Sequence, residues 1–381
     1  MAQNDWAYEL KTESFTTITL AGMAFYNSNF PYNQGEQLIR SSYDPVKKAD
    51  IFDIFGPTLA PIVGTSSPNL RLDQQTRNQT EQVYANESLR LLKDHLILTG
   101  GISQSWFKYH LVDRVTPTRS YDTSLQADLQ KSYGVVITPV ANTAVYYGHA
   151  EVTNFNSAGL PPAPQTRDAT TDEAGVRQKL FRGRGLVSLG YFHATQSNYS
   201  IPNPANLDPA RAGLPALPGL FMDRIAYGWE LEFNAAITSE LSVVGNYTKF
   251  KNRDTNGNVF RGTGERSGAM WVKYDFREGP AKGLGLGLGI SYLDRRPGDT
   301  PRSGYTAAST PTRLILYQPT FWIPSRTLVD ASLSYRFNAN WRARLVITNV
   351  LNEEYIDSAL NRYELELGAE RNFRLQATYT F

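Results

Sequence analysis

The sequence predicts an all-β fold: an antiparallel transmembrane β-barrel of about fifteen strands with long extracellular loops. Three observations predict it. Apolar and polar residues alternate at period two through many segments of about ten residues, the length a tilted membrane-crossing strand needs. Connections alternate between short and long. The chain also ends on an alternating segment with an aromatic carboxyl terminus, Phe381.

Composition narrows the class. Hydrophobic residues make up 41% and charged residues 19%, which fits neither a helical membrane protein nor a disordered chain. Aromatics reach 12%, favouring strands and membrane interfaces. Cysteine is absent, so a disulfide scaffold and a Cys-ligated metal site are excluded. The 38 Lys and Arg nearly balance 36 Asp and Glu, and no basic patch suggests nucleic acid. No apolar run is long enough for a transmembrane helix, because residues 54–63 are broken by Gly56, Pro57 and Pro61. The amino terminus lacks a basic segment followed by an apolar one, so no signal peptide is read in this chain. A removed signal and a fragment of a longer protein both fit that reading.

The clearest strands follow in order. Tyr227, Trp229, Leu231, Phe233, Ala235 and Ile237 share one face, opposite Gly228, Glu230, Glu232, Asn234 and Ala236. Met270, Val272, Tyr274 and Phe276 then oppose Trp271, Lys273 and Asp275. Leu284, Leu286, Leu288, Ile290 and Tyr292 alternate with Gly283, Gly285, Gly287, Gly289 and Ser291. Those glycines lie inside a strand with no helix after them, so they do not make a phosphate loop. They allow close approach of another surface or relieve crowding. Val329, Ala331, Leu333, Tyr335 and Phe337 oppose Asp330, Ser332, Ser334 and Arg336. On the last strand, Phe373, Leu375, Ala377, Tyr379 and Phe381 oppose Arg374, Gln376, Thr378 and Thr380.

Short turns are expected at 93–94, 139–141, 182–183, 239–240, 279–280 and 338–340. Between them lie long segments at 27–77, 115–121, 156–171, 202–223, 252–263, 297–324 and 356–370. Tight turns at one end and large loops at the other are the pattern of an outer-membrane barrel. No repeat at solenoid or propeller period is present.

The carboxyl-terminal half resembles the TonB-dependent outer-membrane receptors, in particular their ferric-siderophore branch. The resemblance rests on Trp271 to Phe276, Lys282 to Gly289, Tyr292, Arg295, Val329 to Ala331 and Ser334 to Phe337. It continues through Thr348-Asn349-Val350-Leu351-Asn352-Glu353-Glu354-Tyr355 and a terminal strand ending in Phe381. It is good from about Asp172 onward, moderate from Gln79 to Val152, and poor before that. The family has a 22-stranded barrel with a plugged lumen. The resemblance therefore implies that residues 1–381 form one partial barrel domain, without the plug or the coupling box. It implies a cell outer membrane location and uptake of a ferric siderophore, coupled in the intact receptor to the TonB–ExbB–ExbD complex. Outer-membrane lipid and the barrel assembly machinery are the other implied partners. Phe373, Leu375, Tyr379 and Phe381 are read as the assembly signal and are expected to face outward.

No enzyme motif is present. His95, His110, His149 and His193 are scattered without zinc spacing, and no GxSxG elbow occurs. Neither a metal site nor a covalent cofactor is expected. Glu230 and Glu232 share a strand face where luminal charges are ordinary, and Glu353 and Glu354 are expected to cap a strand end. Ligand recognition is expected on the long loops. Three stretches combine aromatics with charge or amides: 106–114, 220–229 and 305–322. From them Trp106, Tyr109, Arg313, Tyr317, Phe321 and Trp322 are the ligand-binding candidates, with Lys108, His110 and Gln318 beside them. Aromatic walls with Arg or amide donors suit a compact, often anionic chelate. Trp106, Tyr109, Tyr227 and Trp322 fit a headgroup belt as well. A passive porin-like channel, a non-transporting receptor fragment and a soluble all-β binding protein are the alternative functions.

Overall fold

The computed structural model describes residues 1–38, 65–115, 117, 120–156, 166–201, 220–255, 257, 259–299, 319, 321–361 and 364–381. In chain order the strands are β1 (Ala2–Lys11), β2 (Phe15–Leu38), β3 (Thr65–Leu91), β4 (Leu96–Asp113), β5 (Tyr121–Gln126), β6 (Gln130–Val140) and β7 (Thr143–Phe155). There follow β8 (Thr166–Leu180), β9 (Gly185–Ile201), β10 (Leu220–Ala236), β11 (Leu241–Asp254), β12 (Arg266–Asp275) and β13 (Leu284–Leu293). The last are β14 (Arg296–Pro297), β15 (Trp322–Ile323), β16 (Arg326–Arg336), β17 (Trp341–Thr348), β18 (Ile356–Asn361), β19 (Glu364–Leu367) and β20 (Asn372–Tyr379).

Sixteen strands form one sheet. Its order is β1-β2-β3-β4-β6-β7-β8-β9-β10-β11-β12-β13-β16-β17-β20, with β5 folded back on β4. Small ladders β14–β15 and β18–β19 stand apart from it. Apart from the short strands set aside between β4 and β6, β13 and β16, and β17 and β20, strands pair in sequence order, the all-β antiparallel arrangement that the alternation predicts. The chain divides into two compact units, one of residues 1–5, 22–83 and 104–128 and the other of 6–21, 84–103 and 129–381.

Turn chemistry explains the short connections. Leu92, Lys93 and Asp94 all take positive φ, at 53°, 56° and 66°. Thr238 Oγ1 accepts the backbone N–H groups of Glu240 and Leu241, and Asn338 Oδ1 those of Asn340 and Trp341. One turn falls later than the sequence suggests. Pro139 and Val140 belong to β6, and the reversal is at Ala141–Asn142, where Asn142 adopts φ 69°. Asparagine tolerates that conformation and proline is locked out of it.

At the other end the strands run further than the alternation shows. β2 reaches Leu38, β8 begins at Thr166, β10 at Leu220, and segment 356–370 holds the hairpin β18–β19. The ladder is made by backbone, so polar residues extend it without leaving an apolar pattern to read.

The two faces separate as expected in the second unit. Val176 lies across from Leu189, Leu189 from Leu231, Met270 from Ile290 and Leu288 from Ala331. This apolar face is exposed, with Leu288 at 57%. On the polar face, a Cβ at Gly287 or Gly289 would come within 2.7 or 2.3 Å of the Trp271 ring. Trp271 sits in register with Gly289 and lies across the neighbouring strand. Close approach is therefore what the glycine alternation provides. Tyr146 uses the same device over Gly175 and Gly190, while its hydroxyl donates to Glu173 (2.6 Å) and its ring faces Arg177 (4.6 Å).

On β20, Phe373, Leu375 and Tyr379 pair with Ile347, Leu345 and Trp341 of β17, and the Tyr379 and Trp341 rings are 5.0 Å apart. Through β17 they share the face of Leu333 and Tyr335. All three and Phe381 are exposed. At the opposite end of this strand pair, Asn349 is 4% exposed and clamps the last long connection. Its Nδ2 donates to the carbonyls of Glu353 (2.9 Å) and Ala369 (3.1 Å), and its Oδ1 accepts the Glu353 N–H (2.8 Å). Asn352 Oδ1 accepts the N–H of Arg371, just before β20. The capping side chains are these asparagines. Glu353 contributes backbone, and both glutamates are exposed, which corrects the expectation that Glu353 and Glu354 do the capping.

Two stability predictions follow from this packing. Gly289→Val should destabilise the folded chain in detergent by about 1–3 kcal/mol through overpacking, and Trp271→Ala in the same chain should recover part of that loss. Asn349→Ala should lower stability by about 3 kcal/mol, at about 1 kcal/mol for each of three lost bonds. Urea unfolding followed by tryptophan emission measures both, and unchanged midpoints would contradict the packing described.

Candidate ligand-binding site at the long-loop end

β13 ends at Leu293, and the next four residues are Asp294, Arg295, Arg296 and Pro297. Asp294 accepts from Arg266 Nε (2.8 Å) and the Tyr292 hydroxyl (3.1 Å). The bond from Arg266 holds its carboxyl below the usual carboxylate range. β14 then pairs with β15, setting Arg296 opposite Ile323 and Pro297 opposite Trp322. Ile323 is 1% exposed and Arg296 2%.

The buried guanidinium of Arg296 ties this ladder to the next loop. Its Nη2 donates to the carbonyls of Ile356 (3.0 Å) and Asp357 (2.5 Å). Its Nη1 is buried with no hydrogen-bond partner among the described residues. Burial, and then the neighbouring Arg326 charge, push its pKa down from the ordinary arginine value. Arg326 pairs with Asp357 at 2.5 Å and stacks 4.4 Å from the Tyr355 ring. Arg261 Nη1 donates to the Leu360 carbonyl (2.7 Å). The Tyr355 ring lies on Gly368, and the Phe321 ring on Gly298.

Trp322 stands differently. It is 37% exposed, with the Arg295 guanidinium 5.0 Å from its ring centroid. A half-open indole with the Arg295 guanidinium over it can grip a compact anionic or π-rich ligand, while the buried Arg296 holds the adjoining ladder and loop in place.

The sequence candidates are distributed unevenly. Phe321 and Trp322 are neighbours, but Phe321 packs on Gly298 and Trp322 is the accessible one. Arg313, Tyr317 and Gln318 lie outside the described residues. Trp106 and Tyr109 belong to the other unit, where their odd spacing puts them on opposite faces of β4. Tyr109 is 8% exposed, its ring lies 5.4 Å from Tyr121, and it lines a cavity together with Lys108, His110 and Asp122. Trp106 is half-buried across from Gln126. In that unit Lys108 pairs with Glu81 (3.3 Å), His110 with Asp122 and Arg114 with Asp73 (3.0 Å). Burial pushes the Tyr121 phenol up to about 12.

Of the third stretch, Tyr227 and Trp229 project from the apolar face, in line with Leu231. Glu230 and Glu232 occupy the polar face, across from Thr248 and Asn246. Two histidines that look scattered in sequence, His149 and His193, flank Asp172 in register, and His149 Nδ1 lies 2.9 Å from its carboxylate.

Sequence reasoning missed Arg296 and Arg326 and named Arg295 and Tyr355 only within the family motifs. The Asp-Arg-Arg run after Leu293, the last apolar residue of β13, was the available signal. The partners of Arg296 are backbone carbonyls some sixty residues away, which no local pattern marks.

The family described as TonB dependent receptor-like, beta-barrel matches residues 2–350. The match starts far before Gln79, where the residue-level resemblance is poor, and stops inside the Asn349 motif. Among curated relatives, the metal-pseudopaline receptor CntO of Pseudomonas aeruginosa is 25% identical over 215 residues, 55% of this chain and 27% of that protein. The ferrichrome outer membrane transporter/phage receptor of Escherichia coli K12 is 30% identical over 165 residues, 41% of this chain and 20% of that protein. Solved structures with the same fold include the siderophore receptor PiuA from Acinetobacter baumannii, with TM-score 0.75 and 17% identity, covering 99% of this chain and 55% of that one. The unliganded ferric citrate transporter FecA gives 0.74 and 13%, covering 100% and 54%. The chain thus spans about half the length of these structures, and the aligned regions take in about a quarter of the curated relatives. With sixteen strands in one sheet and a match over most of its length, the chain belongs to the TonB-dependent receptor family and carries its β-barrel domain.

Proposed function

We propose that this chain is the barrel portion of an outer-membrane receptor that takes up ferric siderophores. The observation that carries this reading is the arginine and aromatic cluster at the long-loop end, built from Arg295, Trp322, Arg296, Arg326 and Tyr355. Family membership and the named ligands of the relatives support it: metal-pseudopaline for CntO, ferrichrome and ferric citrate for the transporters. The ferric chelate is cargo. It is held by cation–π contact and charge-assisted hydrogen bonds, and no covalent chemistry takes place. In the intact receptor, passage through the lumen is driven by the TonB–ExbB–ExbD complex. The chain resides in the outer membrane, with its apolar face toward lipid and its short turns toward the periplasm.

The test is binding of ferrichrome, a ferric catecholate and ferric citrate to the full chain in detergent, followed by quenching of tryptophan emission. One of the three should bind. Trp322→Ala and Arg295→Ala should each weaken it about tenfold, the loss of about 1.4 kcal/mol expected for a partly desolvated cation–π pair. If none binds and planar bilayers show a steady ion conductance, the chain is a passive channel and the receptor reading fails.

A further inference from the structure

The polar face of the second unit carries its charges unevenly. On β8 and β10 it holds Glu173, Glu230 and Glu232, whereas on β16, β17 and β20 it holds Arg336, Arg342, Arg344 and Arg374. Asp330 is the acid on those last three strands, and its carboxylate accepts the Asn349 N–H (2.8 Å). Arg336 and Arg342 flank the short turn between β16 and β17. Arg326, in the loop-end cluster, starts β16 ten residues earlier. At about 3.3 Å per residue and a tilt of about 40°, roughly 25 Å of the barrel's height separates the two ends. The arginines are therefore distant from the site at Trp322 and stand at the end where cargo leaves.

Register sets how closely they stand. Arg336 lies directly across from Arg342, Arg344 across from Gln376, and Arg374 across from Val346, diagonal to Arg344. Directly opposite Cβ atoms are about 4.5–5.5 Å apart and diagonal ones about 7–8 Å, so neighbouring cations here repel. All four are exposed, and none has an ion-pair partner among the described residues. Glu278 and the Phe381 carboxyl group are acids at the same end, and neither forms an ion pair with them. Arg336 and Arg342 line a cavity of about 410 Å³ with Lys273, Asp275, Arg277 and Lys282. The Asp275 carboxylate is engaged by Lys273 (2.5 Å), so the cavity keeps an excess of positive charge. Guanidinium forks match carboxylate or catecholate oxygens bidentately, and an anion among them relieves the repulsion.

We propose that Arg336, Arg342, Arg344 and Arg374 form a second anion-binding site, at the short-turn end of the polar face. Its ligand is a ferric chelate with free carboxylate or catecholate oxygens, received after it leaves the loop-end cluster. This rests on the uptake reading above and narrows the cargo to anionic chelates, against a neutral one such as ferrichrome. The polar face carries the site, so a membrane lipid is not its occupant.

The experiment is titration calorimetry of the full chain in detergent at low salt, where exposed charges are least screened. The probes are ferric citrate, ferrichrome and a glutamate-rich peptide. A Trp322→Ala, Arg295→Ala background removes most of the loop-end binding, so the remaining ferric citrate binding reports the second site. Adding Arg342→Gln and Arg344→Gln should weaken that binding about twenty-fold, from about fivefold for each exposed charge pair. Arg342→Lys and Arg344→Lys should keep most of it, because the charge remains while the fork is lost. Unchanged heat-modified mobility on gels shows that each variant is folded. Equal ferric citrate binding by the glutamine variant overturns the site and leaves the receptor reading standing. So does binding of ferrichrome alone, or of the peptide in preference to ferric citrate, which would make the stripe a protein contact. If wild type binds neither of these chelates nor a ferric catecholate, the receptor reading falls with it.

Discussion

Inside a bilayer a backbone N–H or C=O without a partner is too unfavourable to persist, and the whole chain answers to that constraint. The response is one antiparallel ladder in which nearly every strand hydrogen-bonds to the next along the sequence, the short strands β14–β15 and β18–β19 standing aside from it. Because backbone alone makes the ladder, side chains on the two faces are free to serve two solvents. Leu288, exposed on one face, and Gly287 and Gly289 on the other belong to the same ten-residue strand. The ladder also outgrows the membrane. β3 has 27 residues, while a spanning strand needs about ten, so most of its length is scaffold for the loops.

A sheet whose exposed face is apolar must find its side-chain packing elsewhere, and here the polar face supplies it. Trp271 over Gly287 and Gly289, and Tyr146 over Gly175 and Gly190, fill space that a conventional core would fill with aliphatic residues. Each aromatic spans from its own strand to the next one or two, so it binds strands laterally as the hydrogen bonds do. Glycine is the only residue that permits this without displacing the ring. The arrangement accounts for a strand that reads as a low-complexity run in sequence and yet is specifically packed.

How legible the molecule was in its sequence follows from the range of each interaction. Period-two alternation and turn residues are local, so the strand count, the faces of β10, β12, β13, β16 and β20, and most turns could be read directly. Strand ends above the apolar band could not, since their pairing depends on backbone and their side chains carry no pattern. The site divides the same way. Trp322 was visible as an aromatic in a long loop, whereas Arg296 draws its meaning from the carbonyls of Ile356 and Asp357. Tyr109 shows the converse limit. Its surroundings in sequence, Lys108 and His110, are those of an exposed site, and only its place on the inward side of β4 reveals a buried ring. His149, Asp172 and His193 come from three strands, and no single-strand reading could align them.

The loops face a different problem from the strands. Outside the membrane water satisfies backbone, so nothing forces a loop into one conformation, and each ordered residue costs about 1–2 kcal/mol of chain entropy. A receptor whose binding groups must be ordered at the moment of capture loses that amount from affinity. Buried polar side chains that hydrogen-bond to backbone are the remedy this chain uses. Asn349 fixes Glu353 and Ala369, and Arg296 fixes Ile356 and Asp357, so the connection after β17 is held at both its base and its middle. The same arginine also pins β14 beside Trp322. On the proposed reading Trp322 contacts the cargo while Arg296 removes loop entropy, so substitutions of each should separate. Loss of Trp322 removes a contact and leaves the hairpin intact, while loss of Arg296 frees the hairpin and leaves the indole in place.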